Sequence, residues 1–198
     1  MNNNLKLKDI SKRILELNLN NFQTPTHNKG LRGIFLEQCL GIPRSQKLTD
    51  FADGELKTFT CGESIAVTSL KHCFDDIFDK CISYDESKIG EKLCQVLFVG
   101  FSRQNLFLGH NVFNKTNHPI LYKKLVEDYE YICNEIRIAY SKKEKLNTIT
   151  GPNGVLQIRT KASKVNNKYP PLIYNDHKFK NKYMAFYLCS SFGKQILM

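Results

Sequence analysis

Residues 50–59 read DFADGELKTF. Asp50, Glu55 and Lys57 are three of the four charged residues in a run otherwise suited to a β-strand. Strand side chains alternate between faces, so Glu55, Lys57 and Phe59 share one face, and Leu56 and Thr58 share the other. Glu55 and Lys57 then stand side by side, about 7 Å apart along the strand. Asp50 enters from the extended segment before it. Two carboxylates and an ammonium converging on one point suit metal-assisted hydrolysis of a phosphodiester. Carboxylate oxygens match the hard Mg²⁺ ion, which acidifies a bound water. A lysine can orient that water, help to deprotonate it and stabilise the charge that builds on phosphorus. Taken alone, the D-x4-E-x-K spacing also describes a solvated edge strand.

The segment before it adds a fourth group. KGLRGIFLEQCLG, from Lys29, predicts a helix over about 29–40 that stops at Gly41-Ile42-Pro43. Gly30, Gly33, Glu37 and Gly41 recur on one helical face. Glycine inside a helix costs about 1 kcal/mol relative to alanine, so this face calls for close approach. Tight helix–sheet packing satisfies that need, and so does a Glu37 carboxylate turned toward the strand cluster.

Residues 5–17 predict an amphipathic helix, followed by a loop at NNFQTPTHN. Strands are expected at about 54–60, 64–70, 93–101 and 105–113, with CFDDIFDKCI left ambiguous. The apolar positions from Leu121 to Ile138 predict a long helix over about 121–145. VLQIRTKA (155–162) alternates strictly, which sends Leu156 and Ile158 to the core and sets Gln157, Arg159 and Lys161 on the other face. FKNKYMAFYLCSSFG (179–193) reads as a basic amphipathic helix, and 163–178 as a long loop. The expected class is α/β (α+β), helices packed around a mixed sheet.

The chain has 198 residues and a net charge of +10. Residues 141–198 hold eleven Lys/Arg against Glu144 and Asp176, a net +9. A one-sided excess of this kind suits a polyanion, above all nucleic acid; it also describes a solubilising surface. The charge step near 141–150 is the one candidate lobe boundary, giving approximate lobes 1–150 and a basic 151–198 within a single domain. No apolar run is long enough to span a membrane, and the N-terminus lacks the apolar core of a secretory signal. The seven cysteines form no CxxC pair, so free thiols in a reducing cytoplasm are expected, without a disulfide framework or zinc site. The five histidines have no metal-ligand spacing and read as structural or exposed.

KGLRGIFLEQCLG followed by TDFADGELKT resembles the catalytic segment of the MutH family of PD-(D/E)xK endonucleases, which includes a mismatch-repair nicking enzyme and GATC-cutting type II restriction enzymes. The shared signature is carried by Lys29, Gly30, Gly33, Glu37, Asp50, Glu55, Leu56 and Lys57. EKLCQVLFVGF is similar to the family's next long strand, opened by a lysine, here Lys92. VEDYEYICNEI is similar to its long acidic-aromatic helix, and VLQIRTKAS to a C-terminal strand whose arginine and lysine contact DNA. The resemblance covers most of residues 27–190 in order. It implies a restriction-endonuclease-like mixed sheet flanked by helices, with a basic C-terminal subdomain. It implies Asp50 and Glu55 as metal ligands, Lys57 as the catalytic lysine, Glu37 as an auxiliary acid, and Lys29 and Lys92 near the scissile phosphate. Gln157, Arg159 and Lys161 are then expected against DNA bases and backbone, and Lys178, Lys180 and Lys182 against phosphates.

Two departures stand out. The Asp50–Glu55 spacing is shorter than the family's, so the turn FADG must be tight. Where the family carries an adenine-methylation-sensing tyrosine, this chain has His177 or Lys178, in DHKFKNKY. The expected function is therefore a Mg²⁺-dependent type II restriction endonuclease acting on double-stranded DNA, with Mn²⁺ able to substitute. Its functional but not physical partner would be a cognate DNA methyltransferase. The alternatives are a nicking enzyme for hemimethylated GATC sites, activated by a MutL-like partner, and a DNA-binding module without catalysis.

Overall fold

The computed structural model describes residues 6–17, 19, 29–42, 50, 53–79, 81–161, 164 and 166–198; for Lys29 and Gly30 the description is of the backbone. The loop read at NNFQTPTHN, the connector from Pro43 to Thr49, and Phe51 and Ala52 of the short turn lie outside the described residues. In chain order the elements are α1 (Leu7–Glu16), α2 (Lys29–Cys39), β1 (Glu55–Thr60), β2 (Ile65–Ser69), a 3-10 turn (Leu70–His72), α3 (Phe74–Phe78) and α4 (Lys88–Leu93). β3 (Gln95–Phe101), β4 (Phe107–Asn114), α5 (Pro119–Ser141), β5 (Ile149–Thr150), β6 (Leu156–Thr160), β7 (Leu172–Tyr174), β8 (His177–Lys180), β9 (Met184–Leu188) and α6 (Phe192–Leu197) follow. The fold is mixed α+β. No helix among the described residues is long and apolar enough to cross a membrane.

The chain divides into two compact units, each assembled from separated stretches: 1–63, 92–118 and 193–198 form one, and 64–91 and 119–192 the other. The charge step near 141–150 falls inside the second unit. Charge reports the solvated surface, whereas the units follow burial of apolar side chains.

In the first unit β1 runs parallel to β3, and β3 antiparallel to β4, giving a mixed sheet of order β1-β3-β4. β3 is buried from Val96 to Phe101, which is why its sequence is a continuous apolar run and not an alternation. Ile10 and Ile14 of α1 and Leu36 of α2 pack with Leu40 and Ile42 on Leu56, Leu97, Val99 and Phe101. The opposite face holds Phe59, Phe98 and Phe113 in edge-to-face contacts. Gly193, at the start of α6, lies so close to it that a Cβ there would meet the Phe59 ring at 2.5 Å. Helical segments thus cover both faces of the sheet.

The glycines of α2 separate on inspection. A Cβ on Gly33 would stand 3.4 Å from Thr58 Oγ1 and 4.0 Å from Glu37 Oε1, so Gly33 does admit β1 closely. Gly41 lies past the helix end with φ +70°, where the Arg13 guanidinium donates to the Leu40 carbonyl. Gly41 therefore terminates the helix in the left-handed conformation and is not part of a catalytic helix face.

The second unit is an antiparallel sheet of order β2-β9-β6-β5, with α5 packed on it through residues such as Tyr129, whose ring lies 6.0 Å from that of Phe186. The helix expected over 179–193 is not formed. Met184, Ala185, Phe186 and Leu188 are all buried in β9, which pairs with β2 on one side and β6 on the other. An apolar run this short fits helix and strand periods alike, and two flanking strands decide for extension. The long loop expected over 163–178 is likewise shortened by the β7–β8 hairpin, whose two-residue turn places Asn175 at φ 48°. CFDDIFDKCI resolves into the short helix α3.

Asp128, fully buried on α5, anchors the GPNG turn to the sheet. Its carboxylate accepts the amides of Asn153 (2.7 Å), Val155 (2.7 Å) and Leu156 (2.9 Å). Replacing Asp128 by alanine strands these amides at a cost of about 1–3 kcal/mol each where water does not reach them. Asp128→Ala is thus expected to lower the urea midpoint of unfolding sharply, and Asp128→Asn, which keeps an acceptor, to lower it less.

Candidate active site

β1 positions the site by strand alternation. Glu55 and Lys57 project from the same face, and Lys57 Nζ lies 2.9 Å from Glu55 Oε1. Lys92 Nζ reaches the same oxygen at 3.5 Å. The three side chains are largely withdrawn from solvent, at 8 % exposure for Glu55, 13 % for Lys57 and 18 % for Lys92. Glu55 Oε2 is buried with no hydrogen-bond partner. The cluster thus holds one buried carboxylate oxygen braced by two ammonium groups and one left unsatisfied.

Asp50 joins them by a backbone contact: its Oδ2 accepts the Leu56 amide at 2.8 Å. Burial, and then the neighbouring Glu55 carboxylate, push the Asp50 pKa above the ordinary carboxylate value. The Leu56 amide bond and the charges of Lys57 and Lys92 oppose that rise. The short turn has a second tie, because Asp53 Oδ1 accepts the Leu7 amide at 2.7 Å and so serves the start of α1.

Glu37 is placed differently. α2 packs on the Leu56, Thr58 and Thr60 face, with Arg32 Nη2 donating to Thr60 Oγ1 at 2.9 Å and Gly33 against Thr58. Glu55 and Lys57 project from the opposite face of the same strand. Glu37 follows Gly33 by one helical turn, and its Oε1 lies 4.0 Å from where a Gly33 Cβ would stand, on the α2 side of β1. Lys29 opens α2, and its side chain is outside the described atoms. Lys92 belongs to the last turn of α4 and not to the strand expected to begin there. Its distance from Glu55 comes from folding, since 37 residues separate the two.

Apart from Lys29 and Lys92, the residues expected to meet DNA belong to the second unit. Gln157 Nε2 donates to Ser64 Oγ at 3.1 Å, and the Arg159 guanidinium lies 4.3 Å from the Tyr187 ring centroid. Lys161 is exposed just past β6. Lys178 and Lys180 share one face of β8, opposite the buried Phe179, and Lys182 Nζ lies 4.2 Å from the Tyr169 ring centroid. Their carrier is a hairpin and the turn after it, not the margin of a helix. His177 Nε2 lies 2.8 Å from the Glu144 carbonyl oxygen. The charge count over 141–198 directs attention away from Lys71, His72 and Lys88, which the fold gathers near Lys161.

All seven cysteines are free thiols. Among the described residues no group of three or more His, Cys, Asp or Glu side chains forms a metal-holding cluster. Asp50 and Glu55 nevertheless suit Mg²⁺, which takes one or two carboxylates and fills its remaining positions with water and substrate phosphate. The unsatisfied Glu55 Oε2 is the acceptor such an ion would engage. No family model matches the chain, and no curated protein does.

The raised pKa of Asp50 links the site to stability. A carboxyl whose folded pKa lies above its unfolded value favours folding at pH below the unfolded value, and that contribution is lost as pH rises through the folded one. At neutral pH the ionised Asp50 is therefore a burden on the fold. Asp50→Asn keeps an acceptor for the Leu56 amide and removes the charge facing Glu55. Its thermal midpoint is expected to exceed the parent's at neutral pH, with the difference shrinking as pH falls through the Asp50 pKa. A scanning-calorimetry series against pH measures this.

Proposed function

We propose that this chain is a Mg²⁺-dependent endonuclease acting on double-stranded DNA, of the MutH-like PD-(D/E)xK kind and of the type II restriction class. The observation that carries the proposal is the Glu55 carboxylate, buried between Lys57 and Lys92 with one oxygen unsatisfied and Asp50 beside it. The resemblance of the Lys29–Lys57 segment to that family supports it. The half-buried Asp50 carboxylate, pushed toward its neutral form first by burial and then by Glu55, adds a second set of oxygen ligands to the pair.

The reaction adds water oxygen to phosphorus and breaks the phosphorus–oxygen ester bond, with a proton passing to the leaving oxygen. Asp50 and Glu55 would hold a divalent ion by their carboxylate oxygens, and that ion would supply screening of the phosphate charge and a more acidic water. Lys57 holds its ammonium beside them and donates to the phosphate oxygens as negative charge builds there. Lys92 provides a second cation from α4, fixed by the same Glu55 oxygen. Glu37, on the α2 side of β1, is the auxiliary acid that the family resemblance implies. In the second unit Gln157, Arg159, Lys161, Lys178, Lys180 and Lys182 supply contacts to DNA.

Incubation of the protein with plasmid and Mg²⁺ tests this reading. The parent is expected to give discrete sequence-specific fragments. Glu55→Ala and Lys57→Ala are expected to lose at least about 100-fold in rate, the scale of removing one group that stabilises developing charge. Fragments that persist in the Glu55 variant would overturn the assignment. Mn²⁺ is expected to replace Mg²⁺, since the site offers oxygen ligands only. Run-off sequencing of the ends reads the recognition sequence and the stagger, and shows whether one or both strands are cut.

A further inference from the structure

We propose that the end of the second unit's sheet, where the chain leaves β2 and β6 and enters β9, is a phosphate-binding site for duplex DNA formed by Lys71, His72, Lys88 and Lys161. The proposal rests on the reading of the chain as a DNA-acting protein. It adds residues outside the basic C-terminal third.

Pairing sets the geometry. Ser69 is registered with Ala185, and Thr160 with Met184, so the ends of β2 and β6 flank the start of β9. Tyr183 stands at that start and ties both neighbours. Its carbonyl accepts the Lys161 amide at 2.7 Å, and its ring lies 5.2 Å below the Lys71 ammonium. Lys88, from α4, holds its ammonium 3.7 Å from Asp76 Oδ1, and its amide donates to Asp76 Oδ2. His72 lies among them: burial first, and then the fields of Lys71, Lys88 and Lys161, hold its pKa below the ordinary histidine value.

Three like charges around one imidazole repel one another, and Asp76 is the carboxylate placed to offset one of them. Nothing in packing requires this arrangement, since Lys71, His72 and Lys161 are exposed. A phosphate removes the repulsion. It accepts from several ammonium groups at once, and once it is bound the imidazole can take a proton and donate as well. The tyrosine ring under Lys71 and the backbone tie at Lys161 hold two of these positions before a ligand arrives, which reduces the ordering cost of binding.

The test is binding of the full-length protein to a labelled duplex in EDTA, where no cleavage intervenes, across a salt series. The variant Lys71→Gln/Lys88→Gln/Lys161→Gln is compared with Lys124→Gln/Lys142→Gln/Lys145→Gln, which removes equal charge from exposed positions elsewhere in the unit. Each phosphate contact contributes about 0.9 to the slope of log K against log salt. The first variant is expected to lose about 2 to 3 from that slope, and the second far less. Equal losses, or none in the first variant, would overturn the site. The His72 imidazole, followed by NMR, is expected to titrate at higher pH with the duplex than without it. An unchanged midpoint would remove His72 from the site. Duplex RNA that displaces the DNA at equal concentration would overturn DNA as the partner. A parent that binds with this lysine-dependent slope yet cuts no plasmid with Mg²⁺ would uphold the site and sink the nuclease reading.

Discussion

The Glu55 carboxylate is the constraint on which the first unit turns. A buried charge is tolerated only when paired and hydrogen-bonded, and here both partners are lysines aimed at the same oxygen. Lys57 arrives from the same strand by period-two alternation. Lys92 arrives from α4, so its distance to Glu55 requires β3, which follows directly, to lie parallel to β1 in the observed register. That register pairs Glu55 with Val96 and Lys57 with Phe98. A slip of one residue would turn Glu55 and Lys57 to the face packed by α1 and α2, and Leu56 out of it. The fully apolar β3 makes such a slip costly, because both its faces are buried.

Two faces of one strand therefore do different work. The Leu56, Thr58 and Thr60 face accepts α2, where Gly33 permits close approach and Arg32, buried, is tied to Thr60 and lies 4.6 Å from the Phe101 ring centroid. The Glu55, Lys57 and Phe59 face divides along its length. Phe59 is sealed by Gly193 and Phe98, while Glu55 and Lys57 form their ion pair, largely withdrawn from solvent, toward the start of the strand. Apolar packing thus holds one end of this strand face, and the Glu55, Lys57 and Lys92 cluster the other. The second unit is built on an analogous pin. Asp128 satisfies three consecutive-turn amides from within the core and so sets where β6 begins, which in turn sets which face carries Gln157 and Arg159.

Much of this was legible in the residues themselves. Alternation in ELKTFT assigned Glu55 and Lys57 to one face, and the apolar run at 95–101 marked a buried strand. The long helix followed from its apolar stripe, and Leu156 and Ile158 went to the core as their spacing implied. What failed did so where local pattern underdetermines structure. YMAFYL fits both periods, and only its two sheet partners make it β9. Gly41 shares a helical face with Gly33 on paper, but its positive φ shows it ending the helix. Lys92 could be singled out only through resemblance, because no local rule relates it to a carboxylate 37 positions away. Unit boundaries were hidden for a similar reason: both units are discontinuous, and a charge profile along the chain cannot report which separated segments pack together.

The cations of the second unit show how a charge count along the chain passes over residues that the fold brings together. Counting along the sequence assigned the positive surface to residues 141–198, whereas strand pairing brings Lys71, just past β2, and Lys161, just past β6, to the two sides of β9. Position in the fold also separates these cations by type. Arg159, Lys71 and Lys182 each lie over a tyrosine ring, of Tyr187, Tyr183 and Tyr169 respectively. A long side chain resting on a ring has already lost part of the rotamer freedom that binding would otherwise remove. Such a cation suits a defined contact, whereas an unsupported exposed lysine suits general attraction. The useful quantity for this unit is thus the set of cations the sheet holds in place, and net charge is only its upper bound.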